Sequence, residues 1–232
     1  MQRAMTHSKT SLVLGATLAT TLVASFAATA ASAQEGDQQV SRETERASKH
    51  VSLGAQVDLL PYGKISGGND SNSINADAAF AYGVAANLDF HLNRFLSIGL
   101  SPRMIFNVTS KDQDADQQDQ DALKQFDARL RVKGEFPLGS LLDLYGYVAP
   151  GYSWILANDS TFGPVHVNDA TGLVVAFAAG ASVDLTPSFF LNGEVSYQLG
   201  FQKSNASVGP IDGDFDFKSD YLSVGLGAGA RF

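Results

Sequence analysis

Cysteine is missing from all 232 residues, so no disulfide framework, thiolate zinc site or thiol nucleophile is available. Positive charge is scarce: Lys and Arg number 16 against 24 Asp and Glu, a formal charge of −8. That balance disfavours a nucleic-acid partner, which needs a basic face. Histidines number four, and neither a His-rich ligand set nor a phosphate-cradling glycine loop is present. His166 has Asp159, Ser160 and Asp169 close in sequence. Neighbours in one loop do not make a nucleophile, base and orienting group. No catalytic residue, cofactor or metal is therefore expected. Glycine is plentiful at 22, which suits turns and close packing better than helices.

The first 33 residues read as an export signal. Arg3 and Lys9 give a positive start, Leu12 to Phe26 form the apolar stretch, and Ala31-Ser32-Ala33 offers the small-x-small cleavage pattern. Cleavage before Gln34 removes both early cations and leaves 14 basic against 24 acidic residues, a charge of −10. The cleavage point carries no cysteine for a lipid anchor. Residues 34–49 are polar and lack an apolar period, the pattern of a flexible periplasmic lead-in.

From residue 50 onward a period of two takes over. Leu222, Val224, Leu226, Ala228, Ala230 and Phe232 alternate with Ser223, Gly225, Gly227, Gly229 and Arg231. Val51, Leu53, Ala55, Val57 and Leu59 alternate with Ser52, Gly54, Gln56 and Asp58. One face therefore meets an apolar medium and the other does not. The stretch Phe126, Ala128, Leu130, Val132, Phe136 against Asp127, Arg129, Arg131, Lys133, Glu135 carries the sharpest contrast. A membrane barrel places that charged row inside and the apolar row in lipid. Eight such strands are expected, each long enough for the ~9–11 tilted residues that cross a bilayer.

Connections alternate in length. Tight turns are expected near Asn93-Arg94, Leu138-Gly139-Ser140 and Thr186-Pro187-Ser188, and long polar loops at about 61–77, 109–124, 156–169 and 203–218. This is the pattern of an all-β, eight-stranded antiparallel transmembrane barrel with short periplasmic turns and long extracellular loops. On that threading Phe90, Phe95, Phe136, Phe189 and Phe232 fall at the periplasmic rim. Phe80, Tyr82, Phe106, Phe126, Tyr152, Trp154 and Phe201 fall at the outer rim, as interfacial rings prefer. Pro102 and Pro150 sit at lipid-facing parity without a ladder donor, and a bulge or irregular pairing is expected at each.

These features resemble the small outer-membrane β-barrel family that includes the OmpA transmembrane domain and OmpX. The resemblance covers most of 50–232 and ends on Gly229-Ala230-Arg231-Phe232. It implies an outer membrane of the Gram-negative type, with outer-membrane lipid and lipopolysaccharide around the barrel. It also implies that Phe232 serves as the signal read by the barrel-assembly machinery. With the chain stopping at Phe232, the peptidoglycan-binding domain of full-length OmpA is not expected.

The inward row holds Arg103, Arg129, Arg131, Lys133 and Arg231 against Asp58, Asp89, Asp127, Glu135, Asp143, Asp184 and Glu194. An eight-stranded barrel is just wide enough to be filled by side chains, so these charges should pair. Gly225, Gly227 and Gly229 leave a shallow stripe for Glu194 and Gln198. The leading expectation is a polar plug in a barrel with a structural, envelope-stabilising or adhesion-like role; the alternative is a narrow or gated channel for ions or small solutes. In the acidic loop 111–121, Asp112, Asp114 and Asp116 open like a calcium loop, but Gln117 and Leu123 stand where glycine and glutamate are required. Asp212 to Phe217 either extends its strands above the membrane or meets a surface partner. Any extracellular partner is expected at loops 109–124 and 203–218.

Overall fold

A computed structural model describes residues 49–69, 72–78, 80–108, 123–156, 161–162, 165–167, 169–208 and 211–232. In chain order the strands are β1 (Val51–Asn69), β2 (Asn72–Ala78), β3 (Ala81–Asn93), β4 (Leu96–Leu100), β5 (Arg103–Val108) and β6 (Leu123–Pro137). They continue with β7 (Leu142–Leu156), β8 (Thr161–Phe162), β9 (Val165–Val167), β10 (Ala170–Asp184), β11 (Phe189–Val208) and β12 (Ile211–Arg231). With β4 and β5 as one interrupted strand, β1, β3, β4/β5, β6, β7, β10, β11 and β12 form a ring of eight antiparallel strands. β1 closes the ring against β12. At the junction Phe232 N–H donates to the Val51 carbonyl at 2.8 Å and His50 N–H to the Phe232 carbonyl at 2.9 Å. Lys49, assigned to the lead-in, is held on this rim by its ammonium donating to Ser188 Oγ at 2.7 Å. The expected export signal and the rest of the lead-in lie outside the described residues.

The alternation read from the sequence becomes an inside-out protein. Leu53, Val57, Val84, Leu100, Leu130, Val148, Leu173 and Leu226 are exposed, while Gln56, Asp58, Asp127, Arg129, Ser196 and Ser223 are buried. Rows of bare leucine and valine suit hydrocarbon and would be costly in water. Every expected rim aromatic is exposed except Phe106, which is half-buried. At the outer rim neighbouring rings touch: Tyr82 stacks on Phe106 at 5.6 Å, and Tyr152 meets Trp154 edge-on at 4.9 Å.

The three short turns have local causes. Asn93 Oδ1 accepts from Phe95 N–H at 2.8 Å, Gly139 supplies φ of 91°, and Thr186 Oγ1 accepts from Phe189 N–H at 3.0 Å. The long connections differ from expectation. Much of 61–77 and 203–218 is strand, because β1 runs on to Asn69 and pairs with β2, while β11 and β12 stay in register to Val208↔Ile211. Asp212–Phe217 thus extends its strand. His166 lies in β9, which pairs with β11 at Ser207↔His166. The acidic loop Lys111–Asp121 lies outside the described residues.

Irregular pairing is found at both prolines, as expected of residues without a ladder donor. Pro102 interrupts the strand, yet its flanks keep register: Leu88↔Leu100 on one side continues as Ala85↔Arg103 on the other. Opposite Pro150 the pairing with β6 lapses and resumes in the same register. Neither site is a bulge. Register shifts fall instead between His91 and Asn93 of β3 and between Ile105 and Val108 of β5. A third falls between Leu59 and Tyr62 of β1, around Pro61. It turns Leu60 inward and leaves Pro61 and Tyr62 exposed. Above it the polarity of the wall inverts: Lys64, Asp216 and Lys218 are exposed, while Ile65 and Phe217 are half-buried against an internal apolar cluster.

Candidate functional site: the barrel interior

The interior is stacked from the periplasmic end upward. At the bottom Arg231, from the last strand, pairs with Asp184 and lies 3.7 Å from Asp143. Its guanidinium sits 4.5 Å above the Phe190 ring. Next to it, Lys133 bridges Glu135 at 2.5 Å and Asp89 at 3.1 Å, and Arg131 Nε donates to Asp89 Oδ1 at 3.0 Å. His91 links this layer to the wall, with Nδ1 3.5 Å from Glu135 and Nε2 3.1 Å from Ser52 Oγ. A polar recess of about 30 Å³, lined among others by Ser52, Asn87, His91, Lys133, Asn192 and Arg231, lies among these groups. It has room for about one water.

Glu194 is the hub of the middle layer. It accepts from Tyr147 O–H at 2.7 Å, Tyr145 O–H at 3.0 Å and Gln56 Nε2 at 2.9 Å. The Gln56 amide also donates to Asp58 at 2.7 Å. Asp58 in turn lies 2.8 Å from Arg103 Nε. Above it Gln198 is the connector: its carbonyl accepts from Arg103 at 3.3 Å and Arg129 at 3.4 Å, and its amide donates to Asp127 at 3.0 Å. Arg129 also donates to the Ser101 carbonyl at 3.3 Å and Ser101 Oγ at 3.2 Å. Gln125 donates to Asp127 at 2.8 Å.

The charge network ends abruptly. Leu60, Ala81, Ile105, Val108, Ile155, Ala170 and Tyr221 form a buried apolar cluster toward the outer end, the apolar cap, with Ile65 and Phe217 against it and the buried Gln202–Ser219 pair at the same height. Such a cap is the ordinary core of a soluble sheet, placed where the wall rises out of lipid.

All twelve charged residues expected in the interior lie there, and eleven of them join in three groups: Arg231, Asp184 and Asp143; Arg131, Lys133, Asp89 and Glu135; and Arg103 and Asp58 with Arg129 and Asp127 through Gln198. Glu194 is held by neutral donors. The connecting groups Gln56, Gln125, Tyr145, Tyr147 and Ser101 were not singled out, although each lies at inward parity in its strand. Glu194 is the register partner of Gly225 in the glycine stripe, and Gln198 lies further along β11, opposite Tyr221. Gln56 and Asp58 pack against Gly225, Asn192 against Gly227 and Phe190 against Gly229. The apolar cap has no counterpart in the expected polar plug, because it depends on the shift at Leu60.

A closed antiparallel ring with a lipid-facing apolar band, two aromatic girdles and a charged interior defines a transmembrane β-barrel of the outer membrane. Residues 18–232 match the outer membrane protein beta-barrel domain family, and the chain belongs to it. Among solved structures it is similar to the outer membrane protein OprG from Pseudomonas aeruginosa, at 13% identity and TM-score 0.54 over 81% of this chain and 98% of that one. It is also similar to Neisserial surface protein A, at 13% identity and TM-score 0.45 over 78% and 97%. No curated protein sequence matches.

Proposed function

We propose that this protein works as a closed barrel, a structural element of the envelope that holds its hairpins at the cell surface for contact with a partner outside. The observation that carries the reading is the double closure of the interior. Charged groups paired in three sets fill the periplasmic side, and an apolar cluster with Leu60 and Ile105 almost wholly buried lies toward the outer end. Charges without a continuous water path have no route for an ion, and an apolar constriction resists wetting. The exposed Lys203, Asp216 and Lys218 above the membrane supply outward-facing polar surface.

The second reading, a gated channel, draws on the polar recess open at the periplasmic end. Planar-bilayer recording separates the two. The closed barrel is electrically silent, and a Leu60→Ser, Ile105→Ser double variant, which lets water into the cap, shows discrete steps. Steps in the unmodified protein that shift on Arg129→Ala or Arg131→Ala would make the barrel a channel.

A further inference from the structure

The outer wall carries a concavity near its periplasmic rim. Gly134 of β6, Gly146 of β7 and Ala179 of β10 are neighbours across three strands, in register as Gly134↔Gly146 and Gly146↔Ala179. All three are exposed on the lipid side. A Cβ on Gly134 would meet nothing nearer than the Gly146 carbonyl at 3.9 Å, and one on Gly146 nothing nearer than the Ala178 carbonyl at 3.4 Å. The space a side chain would occupy is therefore open. Phe95, Phe136 and Leu144 stand around this row and frame an open, apolar groove of about 560 Å³. That volume falls within the ~300–1,000 Å³ of small-molecule sites.

A second feature marks its rim end. In the β3–β4 turn, the Arg94 guanidinium lies over the Phe95 ring, 4.7 Å from the centroid. Arg94 forms no ion pair among the described residues. Phe95 is a wall of the groove and one of the periplasmic-rim aromatics, so this cation stands at headgroup level. We propose that the groove seats an acyl chain of an anionic phospholipid of the periplasmic leaflet, with its phosphate on Arg94. A second copy of the barrel fits less well. A two-fold contact through this face would bring another Arg94 to the same rim without a carboxylate to meet it. The inference rests on the barrel's place in the outer membrane and not on whether the barrel conducts.

The test uses protein purified from outer membranes in mild detergent, titrated with phosphatidylglycerol and with phosphatidylethanolamine of the same chains, and read by native mass spectrometry. The unmodified protein should retain one phosphatidylglycerol preferentially. Gly134→Leu with Gly146→Leu fills the groove from open positions and should lower retention of both lipids about tenfold. Arg94→Gln lies in an exposed turn and should lower only the anionic lipid, about fivefold. A heat-dependent gel shift confirms that each variant is folded. Equal retention by the unmodified and filled proteins, or an unchanged preference in Arg94→Gln, would overturn the proposal. So would a barrel dimer that dissociates when the groove is filled, since a second copy would then be its occupant.

Discussion

Arg103 and Asp58 provide the sharpest test of a dry interior. Both are almost fully buried, at 1% and 2% exposure, with Nε and Oδ2 2.8 Å apart. Replacing Arg103 by Met leaves the carboxylate without its cation, and breaking a buried pair in this way costs about 3–5 kcal/mol. Gln56 still donates to Asp58 at 2.7 Å, so the lower end is expected. A loss of ~3 kcal/mol is about a hundredfold in the folding equilibrium. Asp58→Asn should cost a similar amount because it strips Arg103 of its counter-charge. The double variant Asp58→Asn/Arg103→Met removes both charges and should cost no more than either single variant, a coupling of about 3 kcal/mol. Urea titration in lipid vesicles measures this, followed by the fluorescence of Trp154, the chain's one tryptophan, exposed at the outer girdle. If both single variants stayed within about 0.5 kcal/mol of the parent and the coupling vanished, the pair would be solvated. The closed-barrel reading would then fail with it.

Three further outcomes follow from the wall and its ends. An added Cβ at Gly99 would overlap the Asp89 carboxylate and the Leu88 carbonyl, so Gly99→Ala should destabilise by about 1–3 kcal/mol. Gly193→Ala, whose Cβ meets nothing nearer than Leu226 at 3.4 Å, should not destabilise in the same urea titration. Phe232 has an exposed ring, while its backbone makes the closing bonds to Val51 and His50. Phe232→Ala should therefore keep the refolded stability within about 0.5 kcal/mol yet reduce the amount inserted in cells severalfold. Equal losses in refolding and insertion would argue against an assembly signal. Protease shaving of intact cells should cut within 109–122 and at the 208–211 hairpin tip, where paired strand ends. Cleavage at the turns 138–141 or 185–188 instead would invert the topology.

The barrel was legible in the sequence because a two-residue period survives over most of the wall, and a wall between lipid and a polar interior needs no further information. Asp127, Arg129, Arg131 and Lys133 against Phe126, Ala128, Leu130 and Val132 sort themselves by parity alone. The same parity placed all twelve interior charges and the girdle rings. The prolines show where parity ceases to suffice. Pro102 and Pro150 interrupt the pairing as expected, but ladders on both sides hold their register. Pro61, read as the start of a loop, sits in the shift that turns Leu60 inward.

Which charges meet, and where the polar interior stops, were matters of strand stagger. Register around the ring brings Gln198 of β11 to Arg103 of β5, Arg129 of β6 and Asp127 of β6, a meeting that local spacing does not encode. The apolar cap likewise gathers Leu60, Ile105, Ile155 and Tyr221 from four strands. Alternation along a strand assigns each residue to a face, because successive side chains point to opposite sides. Its height relative to residues on other strands comes from closure of the ring and from extra residues such as those in β1 and β5, and only the folded barrel sets those.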